Sequence, residues 1–412
     1  MQQIGFFIPE FPVQTHAFFI RERLELKKLD VDTVLISTRS PKKQKGLAAH
    51  QWAEEASRET TYLFPLNAKH VLSALLEIAC SGPTAWLRCA RMVLSGDNGL
   101  SPADRLKMPL LILTGAHLKR FARARSLDHI HVHSCANAAN VALFAQVLGG
   151  PSYSMTLHGP LRDYGGNQVN KWKHAKFCLV ITENLMAETE RVLGQHNLPP
   201  RFLAPMGVNT DVFHRSSPYR APSRDEQVRI VSCGRLNYVK AHDDLIRAVA
   251  HLKEIGITAR LHICGAMDAP SQEQNYEETL RALMRELGVE DSVELLGSVS
   301  EQRVIEELEH CHFFCLASLH EPLGVATMEA MSMEVPVVVS ESPGVAEMVR
   351  TGVDGFLVKP RSPKDIAACI EKLIENQTLA LDVARRARQR IVENYHSGIS
   401  ASKIKEGLDS TG

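Results

Sequence analysis

Short apolar segments alternate with amphipathic helical segments along the whole chain, and this alternation limits the possible folds more than any other feature. In the first half the apolar segments span residues 4–8, 31–37, 130–133, 153–157 and 177–182. In the second half they span residues 228–233, 260–264, 293–296, 313–317 and 336–340. Strands that are separated by helices pair in parallel and are covered on both faces. The sequence therefore predicts an α/β chain with two parallel sheets.

The alternation stops between residues 208 and 225, where two prolines and three serines cluster. Such a cluster marks a connection between folded units, and 412 residues suit two domains. We expect Rossmann-like domains at 1–205 and 206–377, with their sheets facing a deep cleft and ligands at the carboxyl ends of the strands. Residues 378–412 are predicted to be a helical tail that is able to return to the first domain. Its arginines, Arg385, Arg386, Arg388 and Arg390, are interpreted as a solvated helix face.

Composition and charge narrow the class of protein. With 44% hydrophobic and 23% charged residues the chain has the composition of an ordinary globular protein. Its nine cysteines form no CxxC pair, the N-terminus has no secretory pattern, and no run of 18 apolar residues occurs, so we expect a cytoplasmic protein. Residues 1–205 hold 24 Lys and Arg against 16 Asp and Glu, whereas residues 206–412 hold 23 against 31. The basic half could attract anionic lipid or a pyrophosphate-bearing acceptor, and nucleic acid is disfavoured because no nucleic-acid-binding motif accompanies the charge.

The most informative segment is residues 317–331, which follows a predicted strand and enters a predicted helix. Glu321 precedes this helix and Glu329 lies two turns along it. A helix N-terminus offers unpaired N–H groups and a partial positive charge, so backbone amides here are able to hold a diphosphate. Carboxylates accept hydrogen bonds from sugar hydroxyls. The spacing therefore suits a nucleotide sugar, with the loop residues Pro322, Leu323, Gly324 and Val325 around the phosphates.

Five motifs of the second half together resemble the donor-binding half of family 4 glycosyltransferases, which are retaining enzymes with the GT-B fold. They are the Glu-x7-Glu pair with the following 333–338 segment, the turn at 344–347 with 352–358, residues 207–209, residues 234–240, and residues 297–299. The resemblance covers nearly all of the second domain. It implies that the first domain binds the acceptor and the second binds a nucleotide-diphosphate sugar.

The same resemblance implies a role for each matching residue. Glu329 would bind the ribose, Glu321 the transferred sugar, and Arg235 with Lys240 the leaving diphosphate. The base would lie against Gly297, Ser298 and Val299. Two departures are Ala241, where the family usually has glycine, and residues 264–268, where a Gly-x-Gly-Pro loop is commoner.

In the first half, residues 156–159 resemble the family's Thr-x-His-Gly/Asp segment, which makes His158 the candidate catalytic residue of that domain. Residues 11–20 resemble a segment of bacterial exopolysaccharide and colanic-acid type transferases, in which His16 replaces a glutamate. We interpret His16 and His133 as candidate acceptor residues. His131 with His133, and His310 with His312, alternate along the chain, but no third ligand is spaced for a metal, so no essential metal and no tightly bound cofactor are expected.

The sequence thus predicts a retaining hexosyltransferase that moves a sugar from a nucleotide-diphosphate donor to a saccharide or lipid-linked saccharide, in bacterial exopolysaccharide or cell-surface polysaccharide biosynthesis. Two alternatives are a GT-B nucleotide-sugar epimerase and a non-catalytic GT-B sugar-binding protein. Residues 71–94 and 107–125 are amphipathic, and the second of them is basic. Basic amphipathic helices bind anionic membranes, so we also expect peripheral docking on the inner face of the cytoplasmic membrane.

Overall fold

The computed structural model describes residues 2–13, 16–41, 52–95, 99–267 and 276–410. The chain divides into two compact units. Within the described ranges, the first is formed by residues 2–41 and 52–205 together with the chain from Gly398 to residue 410, and the second by Met206–Ser397. Among the described residues, no helix is long and apolar enough to cross a membrane.

The first unit contains a seven-stranded parallel sheet in the order β3-β2-β1-β4-β5-β6-β7. Its elements, in chain order, are β1 Gln2–Glu10, α1 Ala17–Lys28, β2 Val31–Arg39, α2 Trp52–Glu59, β3 Thr61–Tyr62, α3 Ala68–Cys80, α4 Gly82–Leu94, α5 Pro102–Ala124, β4 His129–Val132, α6 Asn137–Val147, β5 Ser152–Leu157, α7 Gln168–Lys173, β6 Cys178–Val180, α8 Glu183–Leu193 and β7 Arg201–Leu203. The five apolar segments expected to be strands in this half correspond to β1, β2, β4, β5 and β6. The expected amphipathic segment 71–94 is two helices, α3 and α4, because Ser81 and Gly82 interrupt it with a left-handed glycine.

The second unit repeats the same plan with a six-stranded parallel sheet in the order β10-β9-β8-β11-β12-β13. Its elements are β8 Val228–Cys233, α9 His242–Glu254, β9 Ala259–Cys264, α10 Tyr276–Leu287, β10 Val293–Gly297, α11 Glu301–His310, β11 Phe313–Leu316, α12 Val325–Ser332, β12 Val337–Ser340, α13 Pro343–Met348, β13 Phe356–Val358, α14 Pro363–Glu375 and α15 Gln377–Asn394. In both units the chain reverses its direction of sheet growth after the third strand, which is the Rossmann-like strand order.

The segment expected to be one C-terminal tail divides between the units. The apolar side of α15, including Ala380 and Val383, is buried in the core of the second unit. The last helix, α16 Gly398–Asp409, packs on the first unit, where Ile404 and Leu408 join its core. Gly407 permits this approach, because a Cβ atom there would lie 2.6 Å from the ring of Phe177.

Two arginines of α15 make contacts that differ from the expected solvated face. Arg388 donates from its Nη1 to the carbonyl oxygens of Ser332 and Phe213. Arg390 donates to the carbonyl oxygen of Glu347 at 3.1 Å. These side chains therefore tie α15 to α12, to α13 and to the segment around Phe213, whereas Arg385 stays exposed beside Asp382.

Candidate functional site

In the second unit, the loops that follow β8, β9 and β10 are joined directly through their backbones. The amide of Gly234 donates to the carbonyl of Cys264 at 2.9 Å, and the amide of Gly265 donates to that of Gly297 at 2.8 Å. A Cβ atom on Gly265 would lie 1.9 Å from the carbonyl oxygen of Gly234. Only glycine permits this approach, so the 264–268 segment, although it departs from the family pattern, still carries the glycine that the packing requires.

Lys240 and Glu321 form an ion pair in the second unit. Lys240 ends the short 3₁₀ turn Tyr238–Lys240, in which the side chain of Asn237 accepts from the Lys240 amide at 3.1 Å. Its Nζ donates to Oε2 of Glu321, and the two side chains are only 16% and 13% exposed. The amide of Leu319 donates to the carbonyl of Val239 at 2.8 Å. The structure therefore brings two predicted site residues, 81 positions apart, into contact.

Ala241 and His242 fix the direction of this turn. Ala241 has φ +47 and ψ 45, the left-handed conformation that glycine adopts most readily. Nε2 of the buried His242 lies 3.1 Å from the carbonyl oxygen of Arg235 and holds that loop. Burial, as the largest cause, lowers the pKa of His242 to about 4, so the ring is neutral near pH 7. The side chain of Arg235 itself is exposed.

The loop before α12 carries Glu321 and is held by the chain around α13. The hydroxyl of Ser342 donates to the Glu321 carbonyl at 3.3 Å. A Cβ atom on Gly344 would lie 1.7 Å from the carbonyl oxygen of Pro322, so a glycine is needed there as well. Gly324 has φ +90 and directly precedes α12, which leaves the first amides of that helix without intrahelical acceptors.

Thr327 was not predicted as a site residue. It lies in the first turn of α12, it is buried, and its Oγ1 has no hydrogen-bond partner within the described part of the chain. Buried hydroxyl groups are normally paired, so this one is a candidate donor to a phosphate at the start of the helix. The only sign of this role in the sequence is that a threonine follows Gly324, the N-cap residue of α12, by three positions.

The charges of Glu329 and Lys240 both affect the pKa of the Cys233 thiol, which lies at the end of β8. Burial raises the pKa of Cys233 well above its usual value; the negative charge of Glu329 adds to this and the positive charge of Lys240 opposes it. The thiol is therefore protonated. Glu329 and Lys240 therefore both lie close enough to Cys233 to influence its pKa. Of the other predicted residues, Leu323 and Gly324 are buried, and Pro322 and Val325 are partly exposed. The predicted base contacts, Gly297, Ser298 and Val299, are all partly exposed.

In the first unit, histidines on β4 alternate with hydroxyl side chains on β5. His129 lies within 2.8 Å of both Ser152 and Ser154. His131 lies 2.7 Å from Ser154 and 2.9 Å from Thr156. Each ring therefore bridges two hydroxyl groups of the neighbouring strand. These contacts account for the burial of His131, one of the alternating histidines.

His133 and His158 follow this ladder at the carboxyl ends of the two strands, where the third candidate, His16, also lies close. Nδ1 of His133 is 3.4 Å from Nε2 of His158, and its Nε2 is 3.1 Å from Oε2 of Glu22 on α1. The His16 ring stacks on Phe11, with centroids 5.9 Å apart. Glu22 was not predicted, because a glutamate in an amphipathic helix carries no signal of burial.

Burial lowers the pKa of His16, His133 and His158 to about 3, and the neighbouring histidines add to this for His16 and His158. Burial also raises the pKa of Glu22. The three rings are therefore neutral near pH 7. Nδ1 of His158 is buried and has no hydrogen-bond partner within the described residues, so this atom is a candidate to form a hydrogen bond with a ligand. Across the same residues, no group of three or more His, Cys, Asp or Glu side chains is arranged to hold a metal ion.

Part of the chain matches a known protein family. Residues 217–390 match the family described as "Glycosyl transferases group 1". An uncharacterized glycosyltransferase of Methanocaldococcus jannaschii is 29% identical over 42% of this chain and 42% of its own length. The amylovoran biosynthesis glycosyltransferase AmsK of Erwinia amylovora is 27% identical over 45% of each chain. These matches span less than half the length of either relative.

The fold is shared with solved glycosyltransferases. The crystal structure of Anabaena Alr3699/HepE in complex with UDP-glucose superposes over the whole of both chains with a TM-score of 0.71 at 18% identity. The predicted GT-B fold with two Rossmann-like units is thereby confirmed. The family match is thus confined to residues 217–390, less than half of the chain, and one of the relatives it resembles is a polysaccharide-biosynthesis glycosyltransferase.

Proposed function

We propose that this chain is a retaining family 4 glycosyltransferase that moves a sugar from a nucleotide-diphosphate donor to a saccharide or lipid-linked saccharide in bacterial cell-surface polysaccharide biosynthesis. The observation that carries the proposal is the pairing of Lys240 with Glu321 beside the start of α12. A cation, a carboxylate and free helix amides there match the phosphate and hydroxyl groups of a nucleotide sugar.

Each charged group has a role in this proposal. Lys240 and Arg235 would neutralise the diphosphate as it leaves, and one well-placed donor of this kind contributes about 3–4 kcal/mol to the transition state. Glu321 would exchange its contact with Lys240 for hydroxyl groups of the sugar. Glu329 would accept hydrogen bonds from the ribose, while the segment 297–299 would lie against the base.

Retention is proposed to proceed by attack of the acceptor hydroxyl on the face from which the diphosphate leaves. The leaving phosphate would take the acceptor proton. His158, which is neutral near pH 7, would contribute a hydrogen bond through Nδ1 rather than a charge. His16 and His133 remain proposed acceptor residues, with His133 acting through its contact with His158.

The donor is identified by a thermal-shift screen of nucleotide sugars that starts with UDP-glucose, the ligand of the solved Anabaena structure. A donor at a hundred times its dissociation constant stabilises the folded state by about 2.7 kcal/mol. The donor that binds is then tested for transfer with retention of anomeric configuration. Release of an epimer and free nucleotide without acceptor would favour the epimerase, and binding without turnover would favour a non-catalytic sugar-binding protein.

Three variants test the assigned roles. Lys240→Met should lose at least tenfold in affinity for the nucleoside diphosphate, because a charge-assisted contact contributes about 1.5–3 kcal/mol. Glu321→Gln should mainly lower kcat for transfer, whereas Glu329→Gln should mainly weaken nucleotide binding. Calorimetry and initial rates separate these outcomes. Lys359→Met, which removes an exposed lysine elsewhere in the same unit, is the matched control. Unchanged affinity in Lys240→Met would remove the diphosphate assignment.

The proposal extends to the location of the reaction. A lipid-pyrophosphate-linked saccharide would be presented at the inner face of the cytoplasmic membrane, so we propose that the enzyme works there as a peripheral protein. The net charge of +8 on residues 1–205 supports this position.

A further inference from the structure

Three consecutive helices of the first unit carry large apolar side chains on their outer surface. The six leucines concerned are between 52% and 84% exposed, although leucine is usually buried. We name them the leucine face: Leu72, Leu75 and Leu76 on α3, Leu87 and Leu94 on α4, and Leu106 on α5.

The polarity of α3 is the reverse of that of an ordinary surface helix. Its leucines at 72, 75 and 76 face outwards, whereas its one acidic residue, Glu77, is buried. Glu77 is paired inside the unit with Arg123 and, at 3.4 Å, with Lys119, both on α5. A helix that meets water on its outer side normally has charged residues there and apolar residues inside. The arrangement is therefore that of a helix whose outer side meets an apolar phase.

Trp86 is a residue of α4 and contacts α3. Its Nε1 donates to the carbonyl oxygen of Ile78 at 2.5 Å, yet the side chain remains 44% exposed. Tryptophan is enriched at the boundary between lipid tails and headgroups, because its ring is both apolar and polar. A fixed, half-exposed indole on this surface is thus of the kind that marks a membrane interface.

The charges around the leucine face are mostly positive. Residues 68–125 contain nine Lys and Arg but three Asp and Glu. Of the acidic residues, Glu77 is buried and Asp104 is paired with Lys107 at 3.0 Å. Lys69, Arg88 and Arg91 are exposed on the same helices as the leucines. This combination of leucine, tryptophan and basic residues is typical of helices that lie in an anionic membrane surface, whereas the centres of protein interfaces are depleted in lysine.

We infer that the leucine face is the membrane-docking surface of this protein, and that its occupant is a bilayer leaflet containing anionic lipid. The leucines insert among the acyl chains, while Lys69, Arg88 and Arg91 contact headgroups. This inference adds a docking surface to the proposed function, and its biological interpretation rests on that function. It places the docking surface beside the expected basic segment 107–125, in which Lys119 donates to the Leu148 carbonyl and both Lys119 and Arg123 contact Glu77.

The test is sedimentation of the full chain with vesicles, either of phosphatidylcholine alone or of phosphatidylcholine and phosphatidylglycerol in equal parts. Wild type should sediment with the anionic vesicles. The triple variant Leu75→Ser, Leu76→Ser, Leu87→Ser should lose about fivefold per leucine, which is roughly a hundredfold in total. Lys69→Gln, Arg88→Gln, Arg91→Gln should lose a similar factor on anionic vesicles, and its remaining binding should depend less on salt.

The matched control replaces exposed apolar residues elsewhere, as Leu24→Ser, Val192→Ser, Leu381→Ser, and should bind vesicles like wild type. Equal loss in this control, or no vesicle binding by wild type, would overturn the inference. So would a wild-type dimer that the leucine variant converts to a monomer without any vesicle binding, because the face would then join two copies. Nucleoside-diphosphate binding is measured on every variant: its absence throughout would count against the proposed function, and its retention with failed docking would count against this inference alone.

Discussion

A single alanine bears the backbone conformation on which the Lys240 turn depends. Ala241 is fully buried and has φ +47, so its Cβ is held in the left-handed region, at a cost of roughly 1–2 kcal/mol for an L-residue. The sequence comparison with the family noted only that glycine is usual here. The structure supplies the physical reason, because the chain must reverse between Lys240 and the start of α9.

Replacing Ala241 by glycine should stabilise the protein. Relief of the left-handed alanine outweighs the extra freedom of glycine in the unfolded chain, and we expect a net gain of roughly 0.5–1 kcal/mol. Urea unfolding at neutral pH measures it. Ala250→Gly, inside α9, is the matched control and should destabilise by roughly 0.5–1 kcal/mol. A loss of stability in Ala241→Gly as large as in the control would contradict the strain argument.

At the scale of elements, close backbone contacts decide where the site loops lie. Gly344 at the start of α13 lies against Pro322, and Gly265 after β9 lies against Gly234. Each contact joins loops that are far apart in sequence. The position of Glu321 thus depends on the element that follows β12 as well as on its own helix.

Gly344→Ala should therefore damage donor binding although residue 344 carries no functional group. A Cβ atom there would meet backbone atoms of Pro322 and Leu323, so the 321–324 loop has to move. We expect a loss of stability of about 1–3 kcal/mol and more than a tenfold loss of nucleoside-diphosphate affinity. Gly288→Ala is the control: its φ of +62 is left-handed, so alanine is strained there, but the nearest atom is the distant Nζ of Lys253 and no site loop has to move. Equal affinity loss in both variants would show that general destabilisation, and not loop displacement, is responsible.

The strands that the sequence predicted have long apolar segments. In β1 and β8, for example, both faces of the strand are buried, so most successive residues are apolar. The strands β3, β7 and β13 have two or three residues each and lie in short apolar runs, whereas the equally short β6 lies within the longer run 177–182. Glu22 and Thr327 were missed for another reason. Their importance comes from what lies opposite them in space, and neither residue type is unusual in a helix.

At the scale of the molecule, the two units differ in the number of buried histidines. Burial lowers the pKa of His16, His129, His133 and His158 in the first unit to about 3, and that of His131 well below its usual value. In the second unit the pKa values of His242 and His312 are lowered to about 4. The first unit therefore holds more groups that resist protonation when folded.

The sign of the resulting pH dependence follows from proton linkage. Below a pH of about 6.5 the unfolded chain takes up protons that the folded first unit refuses, so stability falls as pH falls from about 6.5 towards 3. One pH unit below the ordinary histidine pKa, each such residue costs about 1.4 kcal/mol. Glu22 acts in the opposite direction, because its raised pKa favours proton uptake in the folded state. The five histidines outweigh the one glutamate, so the net loss of stability is several kcal/mol, which is a large part of a typical folding free energy.

Mild acid should consequently unfold the first unit before the second. All three tryptophans, Trp52, Trp86 and Trp172, lie in the first unit, so their fluorescence reports that unit alone, whereas far-ultraviolet circular dichroism reports both. Between pH 7.5 and 5.5 the urea midpoint seen by fluorescence should therefore fall. The midpoint of the later unfolding transition in circular dichroism, which belongs to the second unit, should fall less. His129→Gln removes one buried imidazole ring that is not in contact with His158, and it should reduce the fall of the fluorescence midpoint by the contribution of one histidine. His196→Gln, at a partly exposed position, is the control and should leave the fall unchanged. A fluorescence midpoint that stays constant over this range would refute the burial of neutral histidines as the source of acid sensitivity.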